Sequence, residues 1–127
     1  MQEVLPEMVK AHFGRIVSLL TVYLDAPPPK GVAAYVTAKS ALMGLTRSVA
    51  AEFGGLGITA NMVSPGMVET DLIGGLSEQA KKTASLRVPV GRLADPSDVA
   101  GPVLFLLSKG AQYINGAVLG INGGMQF

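Results

Sequence analysis

The run from Gly31 to Phe53 contains no proline, is rich in alanine and leucine, and is followed by Gly54-Gly55. This composition predicts one long helix closed by glycine. Two short apolar runs with β-branched residues flank it, Arg15–Thr21 and Ile58–Val63, and each has the pattern of a strand buried on both faces. Strand, helix, strand, joined through short glycine-containing loops, is a βαβ unit. Such a unit admits few folds, because parallel strands need a crossover that packs on the sheet, and that crossover is right-handed. The expected class is α/β.

The remaining segments extend the pattern. Residues 3–11 read as the last turns of a helix, with Val4, Met8 and Ala11 on one side and Gly14 ending the unit. Asp25–Gly31 carries three consecutive prolines, which remove donors and enforce extended geometry, so it is a loop. Ser64-Pro65-Gly66 stops the second strand. Within the irregular, polar stretch from Met67 to Val90, a short helix is expected from Ser77, as N-cap, through Leu86. Asp95-Pro96-Ser97-Asp98 is a strong helix start, with an N-cap aspartate, proline at the first position and a carboxylate in the first turn. That helix should run to Ser108. Gly116–Ile121 is the last strand, and Asn122-Gly123-Gly124 turns the chain away. The outline is a partial Rossmann-like, doubly wound parallel sheet: its last three strands with flanking helices. Three strands is few for this class and leaves an apolar edge unpaired, so the isolated chain should associate. The chain reads as half of a fold.

Composition narrows the chemistry. Ten basic and nine acidic residues give a net charge of +1 and are scattered, which argues against binding to nucleic acid or to a membrane surface. With no cysteine and a single histidine, His12, neither a thiolate site nor a histidine metal cluster can form. No apolar run reaches the length of a membrane span. The start shows no cationic segment followed by an apolar one. A cytoplasmic protein without metal is expected.

Near the start of the long helix, Tyr35 and Lys39 stand four residues apart, so one turn stacks phenol and ammonium on the same face. A phenol beside a fixed positive charge loses its proton more easily, which suits a general acid/base. Taken alone, the pair also fits a half-exposed helix face. Context decides. Gly14-Arg-Ile-Val17, Tyr35-Val-Thr-Ala-Lys39-Ser-Ala, Gly57-Ile-Thr-Ala-Asn-Met-Val-Ser-Pro-Gly-Met-Val-Glu-Thr70, Arg92-Leu-Ala-Asp-Pro-Ser-Asp-Val-Ala100 and Ile114-Asn-Gly-Ala-Val-Leu with Gly123-Gly124 follow one another in that order. Together, over essentially the whole chain, they resemble the C-terminal half of a short-chain dehydrogenase/reductase, nearest the 3-oxoacyl-[acyl-carrier-protein] reductase type.

The resemblance implies that Tyr35 gives its proton to a substrate carbonyl oxygen, and that Lys39 lowers the tyrosine pKa and holds the cofactor ribose. Pro65, Gly66, Val68 and Thr70 fall in the family's Pro-Gly-x-x-x-Thr loop, with the Val68 backbone and Thr70 hydroxyl against the nicotinamide carboxamide and the pyrophosphate. The bland reading of Pro65-Gly66 is a simple turn. No serine stands where the family holds the carbonyl. Counted from Gly14, Thr21 occupies that place; counted back from Tyr35 it lies one residue too far, so the proline loop carries an insertion. Thr21 either replaces the serine or satisfies local backbone at a strand end. Ser18 matches a structural position. Met67, Leu72, Ile73 and Leu76 either line an acyl pocket in the substrate lid or close the core.

NAD(P) is the implied cofactor, with NADP(H) the expected form. The substrate is a small carbonyl or alcohol, acyl-carrier-bound in the nearest branch. The glycine-rich phosphate turn of the family is not in the sequence: Gly54-Gly55-Leu-Gly57 follows a helix and precedes a strand, the wrong context. Residues 1–127 are therefore expected to be one half of a domain, starting within the helix before the active-site strand. Three readings follow: an oxidoreductase fragment that reduces a ketone or 3-oxoacyl group, or runs the reverse; a non-catalytic truncated relative that associates with a full-length partner or with itself; and a short enzyme completed by another polypeptide.

Overall fold

A computed structural model describes residues 1–25 and 27–125, and the side chain of Leu72 lies outside what it describes. Seven principal elements follow in order: α1 (Leu5–Ala11), β1 (Gly14–Leu19), α2 (Ala33–Phe53), β2 (Ile58–Pro65), α3 (Glu78–Ser85), α4 (Pro96–Leu107) and β3 (Val118–Ile121). The strands form a single parallel sheet in the order β1-β2-β3. Gly14 pairs with Ile58 through to Leu19 with Val63, and Met62 pairs with Val118 through to Pro65 with Ile121.

Side chains on adjacent strand residues point to opposite faces, and the packing follows that rule. Ile16 and Ala60 meet Val49, Ala50 and Phe53 of α2, with Leu5 of α1 closing the same cluster. Val17 and Val63 meet Val99, Val103 and Leu106 of α4, joined by Ala111 and Ile121. Helices thus cover both faces, the doubly wound arrangement. Of β2, every residue from Ile58 to Ser64 is buried. The continuous apolar run Ile58–Val63 has this cause: β2 is the central strand.

β1 differs from the expectation. Its burial is uneven, with Gly14 and Ser18 buried but Leu19 51% exposed, because among the described strands it pairs only with β2. It also ends at Leu19 rather than Thr21. Thr21 instead caps the turn Val22–Leu24, its Oγ1 accepting from the Tyr23 amide at 3.4 Å.

Three other boundaries are set by local physics. α2 buries the stripe Thr46, Val49 and Ala50, an i, i+3, i+4 spacing. It runs on into a further turn, Gly54–Leu56, so the left-handed stop is Gly57 (φ 79°), not Gly54. In α1 the inward residues are Leu5 and Met8, while Val4 is the N-cap residue and Ala11 is exposed. α4 starts as expected. Asp95 accepts from the Ser97 amide, Asp98 accepts from the Asp95 amide at 2.7 Å, and the two form a capping box. Arg92 clamps Asp98 with both Nη atoms, at 2.5 and 2.9 Å. That fork, with the Asp95 amide, holds the Asp98 carboxyl down at about 2.

Candidate active site

The residues after β2 do not form a free turn. The Gly66 amide donates to the Ile121 carbonyl at 3.0 Å, the Glu69 amide to Ala94 at 2.8 Å, and the Ala94 amide to Met67 at 3.0 Å. Val68 and Ala94 form a parallel bridge. An added Cβ on Gly66 would meet Asn122 Cα at 3.2 Å, so the loop passes tightly against the residue that follows β3. The loop therefore leaves the sheet at a fixed angle, held between β3 and the approach to α4.

That loop, the end of β1 and the first turns of α2 enclose one cleft of about 1030 Å³. Thr21, Tyr35, Lys39, Pro65, Gly66, Val68 and Thr70 all line it. Three segments far apart in sequence supply them. Tyr35 sits in the first turns of α2, 44% exposed. Lys39 is half-buried and donates from Nζ to the Leu19 carbonyl at 2.8 Å. Its Nζ stands over the Tyr35 ring, 5.7 Å from the centroid, within the range of a cation–π contact. One turn of helix has brought the pair together, and the edge carbonyl of β1 fixes where the ammonium stands.

Thr21 is buried as well as lining the cleft. Because its oxygen already takes the Tyr23 amide, its own hydrogen is free to be donated. Ser18 faces away, sharing a 2.8 Å hydrogen bond with Thr46 Oγ1, which also reaches the Leu42 carbonyl at 2.8 Å. This pins β1 to α2 beneath the site. Met67 and Ile73 line the cleft, whereas Leu76 does not and is 41% exposed; Leu72 lies outside the described side chains.

The motif reading missed other lining residues. Pro27, Pro28 and Pro29 form part of the wall, as do Tyr23 and Gln79, Ala80, Thr83, Ala84 and Arg87 of the α3 segment. Of these, Ala80, Thr83, Ala84 and Arg87 recur at helical spacing, but alanine, threonine and arginine make no apolar stripe, so the spacing alone does not mark them as a wall. Neither β1 nor β2 leads through a glycine-rich turn into a helix N-terminus among the described residues. β1 leads to Val22–Leu24 and the prolines, and β2 to Pro65-Gly66. Among the described residues there is no group of metal-ligating side chains, and no helix is long and apolar enough to cross a membrane.

Comparison with known proteins agrees with this architecture. A family model described as Enoyl-(Acyl carrier protein) reductase matches residues 1–126. The 3-oxoacyl-[acyl-carrier-protein] reductase FabG of Aquifex aeolicus is 40% identical over 124 residues, covering 98% of this chain and 50% of that protein. The crystal structure of 3-oxoacyl-[acyl-carrier protein] reductase from Brucella melitensis superposes with a TM-score of 0.92 at 29% identity, over 99% of this chain and 47% of that one. A protein of Beutenbergia cavernae named as an NAD(P) dependent gluconate 5-dehydrogenase, with NADP bound at low occupancy, gives 0.87 at 37% identity over 94% and 49%. The chain spans about half the length of the curated relatives it matches. On its sheet order and on a family match that runs from its first residue to its last but one, the chain belongs to the short-chain dehydrogenase/reductase family.

Proposed function

We propose that residues 1–127 form the C-terminal, substrate-side half of a cytoplasmic NAD(P)-dependent short-chain reductase that interconverts a ketone or 3-oxoacyl group and its alcohol. The observation that carries this reading is the convergence of Thr21, Tyr35, Lys39, Val68 and Thr70 on one cleft.

The cleft suits the nicotinamide end of the cofactor. Tyr35 and Lys39 would hold the ribose from α2, with Pro65 and Gly66 shaping the loop behind the ring. The Val68 backbone and the Thr70 hydroxyl would hold the carboxamide and the near phosphate from that loop. When bound, NAD(P)H supplies the hydride. Tyr35 Oη then donates its proton to the carbonyl oxygen as negative charge develops there. Lys39 keeps a positive charge beside the ring that gives up the proton. Thr21 donates its hydroxyl hydrogen to the same oxygen, holding the carbonyl in place. NADP(H) as the working form is supported by the NADP held in the Beutenbergia cavernae protein. An acyl-carrier-bound substrate is supported by the names of the relatives.

A second reading, a non-catalytic relative that associates with a full-length partner or with itself, is favoured by the outer edge of β1. Among the described strands that side of β1 has no partner, Leu45 on α2 is 51% exposed, and an open edge recruits another strand.

Fluorescence titration of the purified chain with reduced nicotinamide mononucleotide and with NADPH tests the first reading. The two should bind within about threefold of each other, because only the nicotinamide end has a seat on this chain. Lys39→Ala should weaken both. If neither binds, the reductase reading fails; if NADPH binds a hundredfold tighter, the chain has a phosphate seat that the reading denies it.

A further inference from the structure

The α3 segment divides its side chains by helical spacing. Ala80, Thr83, Ala84 and Arg87, at i, i+3, i+4 and i+7, line the cleft that holds Tyr35 and Lys39. Glu78, Lys81 and Lys82 line a separate hollow with Glu69, Arg92 and Asp95, where Lys81 and Glu78 pair at 3.0 Å. The ionised groups within α3 thus lie on its outer side. Arg87, just past its end, is the charge turned toward the cleft.

The cleft offers Arg87 nothing to pair with. No aspartate or glutamate is among the described residues that line it. No hydrogen bond or ion pair of the Arg87 guanidinium occurs among the described residues, whereas Arg92 is clamped on Asp98 and Lys39 is held by the Leu19 carbonyl. Ala80 and Ala84 are small, so they leave room beside the cation. A guanidinium presents a planar fork of donors that matches a carboxylate or phosphate with two parallel bonds.

We propose that Arg87 binds an anionic group, a carboxylate or a phosphate, carried by the substrate. The proposal rests on the reading of this cleft as a reductase site and narrows the substrate class to ketones bearing a negative charge. Arg87 is exposed, so water competes, and the discrimination is set at the lower end of a charge-assisted bond, about tenfold.

Ligand-observed NMR on the 127-residue chain measures it, with acetoacetate and methyl acetoacetate as probes that differ in one charge. Acetoacetate should bind about tenfold tighter than the ester. Arg87→Gln should bring the two together without moving the thermal midpoint, and Arg87→Lys should keep part of the preference. Equal binding of acid and ester by the unaltered chain, or a preference that survives Arg87→Gln, overturns the proposal, as does a chain that binds neither. Inorganic phosphate separates the two sources. Competition with acetoacetate that disappears in Arg87→Gln supports a phosphate-bearing substrate, and a tenfold acid preference that phosphate does not touch supports a carboxylate. Tyr35→Phe should weaken acid and ester alike and leave their ratio intact. If it weakens neither while the ratio still depends on Arg87, the role given to Tyr35 fails and that of Arg87 stands.

Discussion

Asn61 is completely buried in the middle of β2, and its removal has a cost that can be worked from its contacts. Its Nδ2 donates to the Ile114 carbonyl at 2.8 Å and its Oδ1 accepts from the Ala117 amide at 3.1 Å. Asn115 reaches back the other way, accepting from the Ala60 amide and donating to the Ala50 carbonyl, both at 2.9 Å. The two amides fasten residues 114–117 to β2 and to the end of α2, and so set where β3 begins. Asn61→Ala leaves one carbonyl and one amide without a partner at half-buried positions. At about 1 kcal/mol for each, plus a small cavity, the loss is about 2–3 kcal/mol. For a domain of ordinary stability that is a large fraction, and it should lower the urea midpoint by about 1–2 M. Circular dichroism at one fixed protein concentration reads it, because association would otherwise move the midpoint. Asn115→Ala combined with Asn61→Ala should cost less than the sum of the two by at least about 0.5 kcal/mol, since both release the same segment. A midpoint change below about 0.3 M with an unchanged slope, or strict additivity, would refute this account of the clamp.

Other expectations are more local. Asp98 is held at about 2 against an ordinary 3.8, so its cap favours the folded state above 3.8 and loses that effect as pH falls toward 2. Helicity followed by circular dichroism from pH 5 to 2 should fall less steeply in Asp98→Asn, and identical profiles would remove Asp98 from the explanation. Gly57 has φ 79°, and a Cβ there would run into the His12 carbonyl oxygen, so Gly57→Ala should destabilise by at least about 1 kcal/mol in the same urea assay. A neutral substitution would mean that the turn can relax. Tyr35→Phe should lower NADPH-dependent ketone reduction by about 10²–10⁴-fold wherever that activity is measured, with cofactor binding falling far less because Lys39 still holds the ribose; an equal loss of both would mark Tyr35 as structural. Sedimentation should show self-association that rises with concentration, driven by the β1 edge, and a monomer at every concentration would count against it.

The elements legible in the sequence were those whose signals are local. The proline-free run ending at Phe53, the Ser77 cap and the Asp95-Pro96 helix start are local signals: α2 ends at Phe53 but begins at Ala33 rather than Gly31, and α3 and α4 begin directly after Ser77 and Asp95. The parts that were not legible depend on partners distant in sequence. Arg15–Thr21 and Ile58–Val63 look alike as apolar runs, yet strand order makes β2 central and β1 an edge, which exposes Leu19. Val4 and Leu5 are adjacent apolar residues, and only the docking of α1 decides which one packs. A buried asparagine in a strand carries no periodic signal, so the Asn61 and Asn115 clamps came only with the fold. At the site, the motif residues are legible because each motif is short and continuous in sequence, and in the fold they lie along one cleft. The α3 wall was overlooked because its cleft-facing stripe is alanine, threonine and arginine, which no apolar period reveals.

The account turns on whether the cleft between α2 and the 65–70 loop holds a nicotinamide. Titration of reduced nicotinamide mononucleotide into isotope-labelled chain, read residue by residue by NMR, tests it directly. Thr21, Tyr35, Lys39, Val68 and Thr70 should shift together along one saturation curve. Shifts confined to other surfaces, or none at these five residues at saturating ligand, would contradict it.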